Sequence, residues 1–146
     1  MVDGPELHAV RIAGVAARRV IESEQQVADL AHELRLLQTV EDESPRVTTP
    51  LRVLSVIEGV LSAFGDARSD AYLQAQAALD RGEETFDLRL ELPKEAATAS
   101  RALLKALEDA DDCAREGQLL TPAASTGLRD FRRWYSDAVV TALAQA

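Results

Sequence analysis

Residues 27–38 read VADLAHELRLLQ, and this stretch decides the fold class. Its large apolar residues recur at spacings of three and four, which is the pattern of one face of an α-helix. The pattern extends towards the N-terminus as a heptad frame over residues 7–38, a range without proline and with a single glycine, Gly14. The successive a and d positions are Ala9, Ala13, Ala16, Val20, Ser23, Val27, Leu30, Leu34 and Leu37. The sequence therefore predicts one long, coiled-coil-like helix at the N-terminus.

The length of this helix predicts self-association. A helix of about 32 residues is about 48 Å long. A compact domain of this size has a radius of gyration of about 15 Å, so the helix would extend beyond the core. Pairing with a second copy of the chain is the simplest way to cover the overhang, and we expect a homodimer. The predicted interface consists of Val20, Val27, Leu30, Leu34 and Leu37.

The chain is predicted to be a single domain, residues 1–146. After the first helix, helix-breaking residues and helical periodicity indicate where the further elements begin and end. Thr49 followed by Pro50 is typical of a helix start, since threonine caps the first turn and proline suits its first position. Residues 50–82 predict a helical hairpin, and residues 94–145 predict two further helices. The expected fold class is mostly α, a bundle of about five helices.

Residues 86–92, FDLRLEL, break the helical pattern. Apolar and polar side chains alternate, which is the period of a β-strand, and no other good strand is expected. A solitary strand leaves its backbone donors and acceptors unpaired. Its partner is residues 47–49, the same strand of a second copy, or a strand from another protein. Two of these three alternatives are intermolecular, so Phe86, Leu88 and Leu90 belong to the expected interface.

Charge and composition narrow the function classes. The net charge of −9 disfavours binding to nucleic acids and to anionic membranes. The single cysteine, Cys113, excludes an intramolecular disulfide, as is usual in a reducing compartment. The N-terminus lacks the pattern of a signal peptide, and no apolar run approaches the roughly 20 residues that span a bilayer. We expect a cytoplasmic protein.

His32-Glu33-Leu34-Arg35 resembles the H box of bacterial sensor histidine kinases, which lies on the dimerisation and phosphotransfer helix. The resemblance implies His32 as a phosphoacceptor and Glu33 as the neighbouring acid that orients and deprotonates it. The heptad frame places His32 at an f position, facing solvent. Residues 36–38 depart from the Thr-Pro-Leu that completes the box in that family, and nothing downstream resembles its ATP-binding motifs.

Two further groups of residues are candidates for binding. The acid cluster Glu108, Asp109, Asp111 and Asp112 lies near the end of a predicted helix, and carboxylates suit Mg²⁺ or Ca²⁺. Its spacing fits no calcium loop, and pairing with Arg129, Arg132 or Arg133 or with a basic partner is the simpler interpretation. Arg132, Arg133 and Trp134 form a candidate partner-binding anchor, since Arg and Trp are enriched in binding hot spots.

These observations predict a non-enzymatic regulatory or protein–protein interaction module in bacterial cytoplasmic signalling, without a metal or cofactor. Its expected partners are a second copy and another signalling protein. The segment from Thr85 to the end also resembles small actinobacterial helical proteins that occur beside anti-sigma signalling systems. One alternative function is a histidine-phosphotransfer module with His32 as acceptor. Another is an enzyme with a metal bound at Asp109 and Asp112.

Overall fold

The computed structural model describes residues 6–39 and 45–146, which form helices and one small sheet. The predicted mostly helical class is confirmed, but these residues contain four helices and two strands where about five helices and one strand were predicted. None of the helices in these two ranges has the combination of length and apolar content needed to cross a bilayer. The elements in order are β1 (His8–Ala16), α1 (Ala17–Gln38), α2 (Pro45–Asp80), β2 (Thr85–Leu92), α3 (Ala96–Arg115) and α4 (Thr126–Gln145).

The predicted helix over residues 7–38 is wrong in its first third, where β1 pairs antiparallel with β2. Val10 and Ile12 point inward with the period of a strand, whereas Ala9 and Ala13, which held the heptad frame here, are exposed. The register shifts between Ile12 and Val15, and Gly14 has a φ of +68° within this irregularity. Glycine adopts this conformation without a steric penalty, so the extra residue is accommodated and Val15 returns to the interior.

The predicted strand over residues 86–92 is confirmed as β2, with Phe86, Leu88, Leu90 and Leu92 buried in alternation. Its partner is β1, which was none of the three predicted alternatives. Residues 47–49, one of those alternatives, lie in α2. The sheet therefore satisfies the backbone of β2 on one side within the chain.

The helical predictions for the rest of the chain differ from the structure at two points. The helix start predicted at Thr49 and Pro50 is wrong, because α2 begins at Pro45 and contains Pro50. In residues 50–82, where a helical hairpin was predicted, two helical segments meet at a kink at Phe64 (φ −128°, ψ 22°) and together form α2. The two C-terminal helices are confirmed as α3 and α4. The hydroxyl of Ser125 caps α4 by accepting a hydrogen bond from the Leu128 N–H at 3.2 Å.

The buried apolar residues form two clusters. The sheet-side cluster joins the inner face of the sheet to the second half of α2 and to parts of the other helices: Val10, Ile12, Val15, Ala17, Val20, Ala71, Ala75, Ala78, Phe86, Leu88, Leu90, Leu92, Ala96, Val139 and Leu143. The all-helical cluster joins α1, the first half of α2 and α3: Val27, Leu30, Ala31, Leu34, Val53, Leu54, Ile57, Leu103, Ala106, Leu107, Ala110, Cys113 and Leu119.

The predicted dimer interface lies inside these clusters. Val20, Val27, Leu30 and Leu34 are buried within one chain, and Leu37 is half-buried against the all-helical cluster. Phe86, Leu88 and Leu90 are likewise buried in the sheet-side cluster. The heptad pattern therefore reflects packing of α1 within its own chain, against α2 and α3. The prediction that these residues form an exposed interface for a second copy was wrong. Homodimerisation itself stays a prediction and would use another surface.

Candidate functional site

The surface of α1 around the H-box-like residues is joined to the loop between α3 and α4. His32 is exposed, as the heptad frame predicted. The carboxylate of Glu33 accepts hydrogen bonds from the backbone N–H groups of Leu120 (2.6 Å) and Thr121 (2.7 Å) and from the Thr121 hydroxyl (2.6 Å). Partial burial alone would raise the pKa of Glu33, but these three hydrogen bonds outweigh it and hold the pKa below its usual value. Glu33 is therefore an ionised anchor for the loop.

The loop between α3 and α4 is held at two further points. Gln26 on α1 donates a hydrogen bond from its amide to the Pro122 carbonyl at 3.1 Å. Asp111 on α3 accepts one from the Ala124 N–H at 2.9 Å. The loop is thus fixed by three side chains from two helices, which orders its backbone in the isolated protein.

This ordered loop displays an apolar side chain to solvent. Leu120 is 93% exposed, although its own N–H is hydrogen-bonded to Glu33. Leu36 lies about one helical turn after Glu33 and is 56% exposed. On α1, the exposed residues Gln25, Asp29, His32 and Leu36 follow one another at helical spacing. We call Leu120 together with these four residues the α1–loop surface.

All four acids of the cluster at residues 108–112 form ion pairs with basic side chains. Glu108 pairs with Arg133 at 3.0 Å, and Asp111, which is 2% exposed, lies 3.7 Å from the Nε of Arg129. These contacts confirm the predicted pairing with arginines of α4. Asp109 and Asp112, the candidate metal ligands, each pair with a basic residue about one turn away on their own helix, Lys105 at 2.9 Å and Arg115 at 3.0 Å.

The described part of the chain offers no metal site of the usual kind. Within residues 6–39 and 45–146, no three His, Cys, Asp or Glu side chains lie close enough together to hold a metal ion. Asp109 and Asp112 are therefore not joined by a third ligand from this part of the chain. The structure gives no geometric support to the metal-dependent alternative.

The three residues of the predicted partner-binding anchor do not share one surface, because one is buried and two are exposed. Arg132 is only 7% exposed and donates a hydrogen bond from Nε to the Ser23 hydroxyl at 3.1 Å. It was wrong as a surface anchor. Arg133 is exposed and paired with Glu108, and Trp134 is 43% exposed. The Trp134 ring lies 6.1 Å from that of Phe131, which is half-buried against the sheet-side cluster.

Two features were not predicted from the sequence, the burial of Arg132 and the contact between Glu33 and the loop. Only the burial of Arg132 is visible in the sequence pattern. Arg132 and Ser136 fall on the apolar face of α4 together with Leu128, Val139 and Leu143, and a charged residue in that series indicates a buried charge. The contact between Glu33 and the loop left no such signal, because it joins residues 87 and 88 positions apart.

Comparison with known proteins assigns no family. No family model matches the chain, and no curated protein or solved structure matches it significantly.

Proposed function

We propose that the protein is a non-enzymatic regulatory module of bacterial cytoplasmic signalling that binds a protein partner through the α1–loop surface. The observation that carries the proposal is Leu120, a large apolar side chain that is 93% exposed on a loop with a fixed backbone. A leucine in that position contributes nothing to the core of its own chain. Burying it in a partner would be favourable by about 2 kcal/mol.

The order of the loop favours binding. Association costs conformational entropy whenever a loop becomes ordered in the complex. Glu33, Gln26 and Asp111 already fix the backbone around Leu120, so most of this entropy is lost on folding and little remains to be lost on binding. Preorganisation of this kind is what converts a single exposed side chain into an anchor.

The charge of the protein favours a partner with a basic surface. The net charge is −9, and Asp29 lies on the α1–loop surface itself. Charge complementarity of this sense accelerates association and rejects acidic competitors, and it weakens as salt screens the charges. We therefore propose a basic protein as the partner. Binding of a second copy of this acidic chain to the same surface is less favoured.

The experiment uses three versions of the tagged full chain as bait in native lysate. They are the wild type, Leu120→Glu, and the control Leu73→Glu, which places the same charge at another exposed leucine, on α2. We expect one partner to be retained in stoichiometric amount by the wild type and the control, and its recovery to fall about tenfold or more with Leu120→Glu. Its retention should also weaken as salt is raised. Equal capture by all three baits, or recovery of the bait alone, contradicts the proposal.

Exposure of His32 favours histidine phosphotransfer as a second candidate function. Glu33, the acid next to His32 in sequence, binds the loop in this conformation, and its oxygens accept hydrogen bonds from Leu120 and Thr121. Phosphotransfer requires acid-labile phosphate on the wild type that disappears in His32→Ala. Incubation with a phosphodonor that leaves both proteins unlabelled removes this candidate.

A further inference from the structure

A cavity of about 130 Å³ lies between the two apolar clusters. Its walls come from α1, α2, β2, α3 and α4, and none of its lining residues is exposed. Most of the lining is apolar, including Phe64, Leu90, Leu103, Phe131 and Val139. The polar lining residues are Ser23, Glu24, Arg68, Ser100, Arg132, Tyr135 and Ser136.

Two arginines of this lining have buried nitrogens without a hydrogen-bond partner in the described part of the chain: Arg68 at Nε, and Arg132 at both terminal nitrogens. The side chain of Arg132 is only 7% exposed, and its two terminal nitrogens, Nη1 and Nη2, are buried without a hydrogen-bond partner. Burial lowers the pKa of Arg132 to about 10, with Asp111 opposing the shift, so the guanidinium keeps its charge at neutral pH. A buried charge with unsatisfied donors is destabilising, and proteins avoid it unless the group is paired or used.

The carboxylates around Arg132 are already paired with other arginines. Three acids act on its charge: Glu22, Glu24 and Asp111. Their arginine partners are Arg19 for Glu22, Arg68 for Glu24 and Arg129 for Asp111.

Among residues 6–39 and 45–146, Arg132 therefore has carboxylates nearby but no ion pair of its own. The remaining polar groups of the cavity do not supply a negative charge. Burial raises the pKa of Tyr135 to about 12, so its phenol stays neutral. Ser100 donates a hydrogen bond to Ser136 at 3.3 Å, and both are uncharged.

We propose that this cavity binds a small monocarboxylic acid with a compact apolar body, whose carboxylate pairs with Nη1 and Nη2 of Arg132. Guanidinium and carboxylate match as a bidentate, charge-assisted pair. The volume sets the size of the body, because a cavity of about 150 Å³ accommodates benzene. The apolar walls select an organic acid over inorganic phosphate, which would leave them empty. Since both nitrogens are enclosed, binding includes a shift of the Arg132 side chain, whose Nε donates a hydrogen bond to the Ser23 hydroxyl.

The first test is calorimetric titration of the purified full chain with benzoate and with benzamide, its neutral counterpart. We expect saturable binding of benzoate and binding of benzamide that is weaker by about tenfold or more, since the pairing with Arg132 is lost. Propionate, butyrate and cyclohexanecarboxylate extend the series across the size of the cavity. Equal affinity for benzoate and benzamide overturns the proposal. So does the absence of saturation at millimolar concentration for every acid in the series, and so does phosphate or chloride that binds as tightly as benzoate.

Two variants and one control locate the site. Arg132→Met removes the charge and should weaken benzoate binding by about tenfold or more, whereas Arg133→Gln, its exposed neighbour, should leave it unchanged. Ala99→Leu fills space in the cavity wall without altering Arg132 and should also abolish binding. If Arg132→Met does not fold, Ala99→Leu and the benzoate–benzamide comparison on the wild type still decide. Unchanged affinity in either folded variant overturns the proposal.

Discussion

The two apolar clusters are built from side chains of different size, although α2 contributes to both. In the sheet-side cluster α2 presents Ala71, Ala75 and Ala78 to the large residues of β2. In the all-helical cluster the same helix presents Val53, Leu54 and Ile57 to α1 and α3. Short side chains on α2 allow it to pack closely on a sheet of bulky residues, whereas in the all-helical cluster α2 itself contributes large side chains. One helix thus serves two cores, and its kink at Phe64 falls between them.

Two buried polar residues, Arg132 and Ser136, line the cavity between these clusters. In the described part of the chain the buried polar or charged residues are Asp111, Arg132 and Ser136, and none belongs to either cluster. Apolar burial alone accounts for the clusters, because the hydrophobic effect needs no specific partner. It gives no reason for a buried guanidinium with two unpaired nitrogens. The hydrophobic effect therefore explains the two clusters, whereas the buried charge of Arg132 is the observation behind the proposed anion site.

The largest expected effect comes from charging the all-helical cluster. Leu30→Glu with Leu34→Glu places two carboxylates among side chains that are at most 9% exposed, which should cost more than about 5 kcal/mol and unfold the chain. Circular dichroism should show the loss of helix. Leu36→Glu, an exposed position on the same helix, should remain folded. The opposite result would be a dimeric wild type, with twice the chain mass of 15.8 kDa by light scattering, and a double variant that is folded but monomeric. That result would support the predicted coiled-coil interface.

A second effect concerns the junction between α3 and α4. Asp111→Ala leaves the Ala124 N–H without its acceptor and the Arg129 guanidinium without its nearby carboxylate, and we expect a loss of about 3 kcal/mol in the free energy of unfolding. Asp112→Ala removes a surface pair with Arg115 and should change it by less than about 1 kcal/mol. Urea denaturation of both variants measures the difference. Similar values for the two would mean that Asp111 is no more important than a surface residue.

The sequence predicted those elements in which large side chains mark the period. Phe86, Leu88 and Leu90 alternate strictly, and β2 is where that pattern placed it. The apolar face of α4 was equally clear. The error at residues 8–16 arose because alanines held the heptad frame there, and alanine discriminates poorly between a buried helix face and an exposed strand position. The bulge at Gly14 also interrupts the period of two that Val10 and Ile12 begin.

The site was predicted less well than the fold, for a physical reason. His32 was correctly placed in solvent because its exposure depends only on the local helical period. The contact between Glu33 and Leu120, like the cavity around Arg132, joins segments that are distant in sequence. A single sequence records such contacts only where a residue violates its local pattern. Arg132 does so, and Glu33 does not.

A smaller effect tests the anchoring of the loop. In Glu33→Gln one oxygen is replaced by an amide nitrogen that faces N–H donors, so we expect a loss of about 1–2 kcal/mol at neutral pH. Because folding lowers the pKa of Glu33, the wild type has this stabilisation above the usual value of 4.5 and loses it as pH falls through the lowered pKa. The difference between wild type and variant should therefore shrink in acid. Asp29→Asn, an exposed control on α1, should stay within about 0.5 kcal/mol at every pH, and a constant difference for Glu33→Gln would exclude the anchoring role.

The smallest expected change in stability is that of Arg132→Met. Arg132→Met exchanges a buried, incompletely paired charge for an apolar side chain of similar length, and the lost bond to Ser23 offsets part of the gain. We expect the free energy of unfolding to stay constant or to rise by about 1 kcal/mol, whereas Arg133→Met should lower it by less than about 1 kcal/mol. A rise combined with lost benzoate binding would mean that Arg132 reduces stability in exchange for a ligand. A loss of several kcal/mol would instead make Arg132 a structural group, and the anion site would lose the observation on which it rests.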